Sequence, residues 1–177
     1  SFGNCGADLT TKDGKRFVAS SYYGYPEAIG TKSSDGEVYV GGMTMRINPD
    51  GTGLTPTGEN MRNSHDLFVT SQGDVLQSDN DDPAHARMSW VMEGANMGSA
   101  ELSDGSRSWE EVAKTWEEPA GWSKSRRFSR SHWRENYPGA FPPGPIYGAG
   151  SPTGNAYIED STLGLAGTYL VACMGRK

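Results

Sequence analysis

The sequence predicts an all-β chain, and three observations lead there. Apolar residues alternate with polar ones over short runs, the runs stop at Gly, Asp, Asn and Pro, and only one stretch carries a helical period. With 24 Gly and 10 Pro the chain is turn-rich, yet 5 Trp, 8 Tyr and 5 Phe supply aromatic area that unstructured chains lack. A length of 177 residues is enough for one core, so one domain or a large piece of one is expected.

The elements follow in order. "EVYVGGMTMRI" (37–47) reads as a strand, a Gly-Gly interruption and a second alternating strand, stopped by the turn chemistry of "NPDG". "DLFVTSQGDVLQSDN" repeats the plan, with a short Gly-containing turn between two strands and an acidic stop. Arg87 to Met92 forms another strand before Gly-rich punctuation, and "TYLVACM" (168–174) a last one. The one helix lies in "SWEEVAKTWEE", where Ser108 and Glu111 make a capping box and Trp109, Val112, Ala113 and Trp116 share a face. Pro119 ends it. An insertion rich in Arg, Trp, Gly and Pro follows, so that about 101 to 147 stands outside the strand plan.

Charge and cysteines exclude several classes. A formal charge of −6 argues against a generic nucleic-acid binder. No apolar run approaches the roughly 20 residues of a membrane-spanning helix, and "SFGNCGADL" has neither the basic nor the apolar part of a targeting peptide. Cys5 and Cys173 form no C-x-x-C, which removes a zinc ribbon, a thioredoxin-like site and c-type haem attachment. They read either as one long-range disulfide or as two free, half-buried thiols.

Against the acidic background, Lys124, Arg126, Arg127, Arg130 and Arg134 alternate with Trp122, Phe128 and Trp133. This is either a solvated face or a docking surface for an acidic partner, with Arg126, Arg127 and Trp133 as its contacts. A second constellation is the pair Arg62–Asn63 ahead of one strand and the run Asp79, Asn80, Asp81, Asp82 after the next. An antiparallel hairpin returns the chain to its starting level, so the two groups are expected to be neighbours in space. Read from the residues alone, either both strand ends face a bound ligand, with the acidic run offering oxygens to a calcium ion, or Arg62 pairs with an Asp such as Asp66 or Asp79, Asn63 caps a turn, and the acidic run is a solvated turn.

"RINPDGTGLTPTGENMRNSHDLFVTSQGDVLQSDNDDP" followed by "SWVMEGANMGS" resembles the propeller domain of quinoprotein glucose and sorbosone dehydrogenases. "SFGN", "DNDD", "VMEGAN" and "GAGSPTG" resemble more closely the planctomycete-type membrane-bound dehydrogenases, in which a propeller often precedes a c-type cytochrome. The resemblance implies a six-bladed β-propeller. At about 40–50 residues per blade the chain has room for about three to four blades, a partial propeller over 1–177. "SFGN" looks like the close of a blade strand and "LVACMGRK" like a stop before another blade, as in an internal half-propeller.

The resemblance also assigns roles. Arg62 and Asn63 match the channel pair that binds pyrroloquinoline quinone, whose carboxylates suit a guanidinium fork. Asp79, Asn80, Asp81 and Asp82 match the loop that holds the cofactor-bound calcium, although Asp81–Asp82 replaces the Gly-Pro of the soluble enzymes. His65 stands where the membrane-bound group often has Tyr. It is either a general base at the channel or a residue that caps the strand start. The catalytic histidine loop of the soluble enzymes lies upstream of the segment matched here, and later cationic cofactor contacts lie downstream.

The expectation is therefore a non-catalytic, periplasmic or otherwise extracytoplasmic scaffold. It derives from such a propeller, docks on other chains of a larger, membrane-bound redox assembly, and is itself peripheral to the membrane. The alternative is a piece of a quinone-dependent sugar or alcohol dehydrogenase that passes electrons to a c-type cytochrome. A carbohydrate-binding module, resting on exposed Trp and Tyr, is a third class.

Overall fold

A computed structural model describes residues 5–21, 25–99 and 141–174, with the side chains of 81–85 and 147–149 excluded. The chain is all-β. Among the described residues the only helical element is a 3-10 turn at Pro26–Ala28. The helix expected near Ser108 and the basic aromatic segment lie outside the described residues.

The first sheet has the order β1-β2-β3, with β1 (Ala7–Thr10) antiparallel to β2 (Arg16–Ser20) and β3 (Tyr39–Val40) parallel to β2. The hairpin closes because Thr11 bonds Lys15 through its amide at 2.8 Å and its hydroxyl at 3.0 Å, with Gly14 at φ 80°. β2 buries Phe17, Val18, Ala19 and Ser20 in succession. A run buried on both faces shows no period of two, so sequence alternation could not reveal it.

Residues 37–47 do contain two strands, but they belong to different sheets. At Gly41 (φ 68°) the chain leaves β3 and enters β4 (Gly42–Arg46) of the second sheet, ordered β4-β5-β9. A Cβ at Gly41 would meet the Asn60 Cα and the Met61 carbonyl at 3.3 Å. β5 (Thr55–Met61) runs antiparallel to β4 across the "NPDG" turn, and β9 (Ala95–Asn96) runs parallel to β5.

The third sheet is an antiparallel meander, β6-β7-β8-β10-β11, comprising β6 (Ser64–Val69), β7 (Val75–Asp79), β8 (Asp81–Val91), β10 (Ile146–Ile158) and β11 (Thr168–Met174). The β6–β7 turn is the one read from "TSQGD". Thr70 and Asp74 bond each other and Gly73 takes φ 93°. β10 starts at Ile146, so the stretch outside the strand plan ends by 145 and not at 147. Its Gly- and Pro-rich sequence reads as turn. It forms strand because two partners hold it, β8 on one side and β11 on the other.

β10 also turns a corner. Its first part pairs with β8 as far as Gly150 opposite Asp81. It then crosses the end of the sheet, where Ser151 Oγ accepts from Asn80 Nδ2 at 3.1 Å, and runs beside β6. There the contacts pass through side chains: His65 Nδ1 to the Thr153 carbonyl, Asn155 N to Asp66 Oδ2, and Ser71 N to Glu159 Oε1. The sheet curls without closing into a barrel.

The second and third sheets meet at a cluster of Met61, Val91, Ala95 and Met97, with Val75 and Phe141 packed against it. Gly58 permits this approach, since a Cβ there would lie 2.5 Å from Val91 Cγ1.

Candidate functional site

The residues singled out around 62 and 79 do meet. β5 and β6 are joined by Arg62–Asn63, and β7 ends on Asp79 beside that corner. Asp79 is fully buried, and its Oδ2 and Oδ1 accept the backbone N–H of Arg62 at 3.0 Å and of Asn63 at 2.6 Å. The Arg62 guanidinium donates one nitrogen to both the carbonyl and the Oδ1 of Asn80, at 2.7 and 2.8 Å. Asn80 in turn donates to Ser151. One acidic residue thus closes the turn, one amide holds the cation, and β10 seals the end.

Register adds a partner that sequence reading missed. Asp79 stands opposite Arg87 across the β7–β8 ladder, and Arg87 is buried with it. Burial pushes the Asp79 carboxyl above its ordinary range, against the pull of the two amides and of Arg62 and Arg87. Asn60 supports the same corner from β5. It sits at φ 60°, is buried, and donates from Nδ2 to Asn96 Oδ1 at 3.0 Å. Asn is among the side chains that accept this left-handed backbone. The signal for Arg87 was present as spacing, because it falls on the same β8 face as Ser89 and Val91, but using it required the register.

The remaining candidates divide. Asn63 is exposed on the corner, while Asp81 and Asp82 open β8 with side chains outside the described set. The acidic run is therefore the end of one strand and the start of the next, with Asn80 alone between them. His65 is exposed on β6, where Nδ1 meets the Thr153 carbonyl at 2.9 Å. A ring nitrogen facing a carbonyl carries the proton, so this contact makes His65 a donor that ties β6 to β10. Arg126, Arg127 and Trp133 lie outside the described residues. Cys5 and Cys173 are free thiols, the first exposed and the second half-buried.

Of the acidic run, Asp79 and Asn80 have described side chains, and both are engaged within the corner. Both Asp79 oxygens take amide hydrogens, and both Asn80 oxygens face the Arg62 guanidinium. Among the described residues no group of three or more His, Cys, Asp or Glu is placed to hold a metal.

Two concavities lie elsewhere. A groove of about 240 Å³ runs past Arg46, Thr57, Asp74, Trp90 and Glu93. A cavity of about 70 Å³ adjoins Tyr39, Gly58 and Glu59. Burial raises the Glu59 carboxyl to about 7, aided by Glu37 and opposed by the Val40 N–H. No family model matches the chain, and no curated protein matches it.

Proposed function

We propose that the chain is a non-catalytic scaffold, built of propeller-type blades, that works outside the cytoplasm and docks on a larger redox assembly. The observation that carries this reading is the Arg62–Asp79–Asn80 corner. Residues that the resemblance would turn toward a quinone and its calcium are engaged with one another and with backbone amides. Among the described residues, a site organised this way holds strands in register and turns its oxygens toward amide and guanidinium hydrogens. The antiparallel meander of the third sheet is the kind of unit from which propeller blades are made. The basic aromatic segment, with Arg126, Arg127 and Trp133, has the amino-acid composition that protein interfaces favour.

The test is a titration of the chain with pyrroloquinoline quinone, with and without calcium, followed by tryptophan fluorescence and by dye reduction with common aldoses. The scaffold reading expects no saturable calcium-dependent binding and no turnover above the cofactor-only background. Saturable binding with turnover, both lost in Arg62→Ala, would favour a piece of a quinone-dependent dehydrogenase instead. Charge reversal at Arg126 and Arg127 should weaken association with an acidic partner and lower its salt dependence.

A further inference from the structure

Three sheets leave six outer edges among the described residues, and five of them are protected in recognisable ways. β3 and β9 are two residues long. β1 and β4 carry Asp8 and Arg46. β6 is covered by the returning half of β10 through His65, Asp66 and the Ser71 amide. Short strands, charges and covers are the devices by which proteins prevent strand addition. Among the described residues β11 has none of them. It is a seven-residue edge strand with no charge and no Pro, and the whole stretch from Ser161 to Met174 is uncharged.

Its side chains alternate, with Leu170, Ala172 and Met174 exposed and Tyr169, Val171 and Cys173 half-buried. Leu170 is 48% and Met174 74% exposed, and Leu163 in the adjoining hairpin tip is 74% exposed.

We infer that β11 is a strand-pairing edge whose occupant is β11 of a second copy of this chain, antiparallel about Val171. The choice of a second copy rests on self-complementarity. A two-fold axis at Val171 sets Leu170 against Ala172 of the second copy and Tyr169 against its Cys173. Met174 then faces Thr168. Each large side chain meets a small one, and no like charges face each other. The contact continues the third sheet across the axis as a larger antiparallel sheet. The inference stands on this edge alone and does not rest on the scaffold reading.

The test is sedimentation velocity of the 177-residue chain over a concentration series, with two double variants at exposed positions. Dimer formation is expected with a dissociation constant on the order of micromolar, since a single strand pair buries less than a standard interface. In Leu170→Lys/Ala172→Lys, introduced lysines face each other across the axis, and affinity should fall about tenfold or more. In Leu170→Lys/Ala172→Glu, opposite charges face each other in that register, and the dimer should persist. Thermal melts of both variants check that the fold is kept. A wild-type chain that stays monomeric throughout the series would overturn the inference. So would equal loss of the dimer in both variants, because a partner in any other register does not distinguish them.

Discussion

Across one face of the β7–β8 ladder, chemistry changes within three rungs. Val75 faces Val91 at one end, Gln77 faces Ser89 in the middle, and Asp79 faces Arg87 at the other. The valine end packs into the apolar cluster with Met61, Ala95 and Met97. The acidic end is equally buried but makes directional bonds to the β5–β6 corner. The apolar end tolerates approximate fit, because burial is not directional. The ionic end does not: a slip of one residue would replace Arg87 opposite Asp79 and strip the corner amides of their acceptor. One end supplies stability and the other fixes which strands pair and where.

The largest effect expected is at the ionic end. Asp79→Ala leaves the backbone N–H groups of Arg62 and Asn63 without their acceptor and buried Arg87 without the carboxyl that stands opposite it in register, and should cost about 3–5 kcal/mol in urea unfolding. Were the loss below 1 kcal/mol (roughly the worth of a surface pair), the corner would not be an organising element. At the apolar end Met61→Ala should cost about 2–4 kcal/mol through the cavity it leaves. Its hydrogen-exchange signature should differ, with broad loss of protection across the second and third sheets and no particular weakening at Arg62 and Asn63.

pH gives the third contrast. Glu59 has a folded-state pKa of about 7, above its ordinary 4.5, so folding favours its protonated form. Its contribution is fully present below about 4.5 and is lost as pH rises through about 7. The span corresponds to about 3 kcal/mol at most. In Glu59→Gln the slope between those pH values should flatten and stability at pH 8 should rise. An unchanged pH profile would show that Glu59 is solvated in the native state.

The smallest effect has the opposite sign. Gln77 is fully buried in the middle rung, and neither its Oε1 nor its Nε2 has a hydrogen-bond partner. Gln77→Met keeps its approximate volume and removes that penalty, so stabilisation of about 1–2 kcal/mol is expected. Destabilisation on thermal melting would mean that buried water serves the amide and that the polar region extends further toward the valines.

Much of this is legible in the sequence. The hairpin of β6 and β7 was written in alternation plus a Gly-Asp turn, and hairpin geometry alone brings Arg62–Asn63 to Asp79–Asn80. What the pair does there was not legible. Whether Asp79 faces a ligand or two amides depends on register and on which face is buried, and neither is a property of residue type. β1, β2, β5 and β10 escaped detection for separate reasons. β1 is only four residues long, β2 is buried without alternation, β5 interrupts its pattern with Pro56 and Gly58, and β10 is rich in turn residues held extended by two neighbours.

The corner turned by β10 sets the order in which the molecule can assemble. β6, β7 and β8 pair through connections of a few residues and can associate early, as local hairpins do. Their joining to β10 closes far larger loops, with His65 and Thr153 separated by 88 positions and Asp66 and Asn155 by 89. During synthesis the β6 edge therefore stays bare until the chain beyond residue 159 has emerged, and in refolding this step pays the greatest loop entropy. The rate-limiting event expected is the arrival of this one strand, with the edge of β6 the surface most open to mispairing until then.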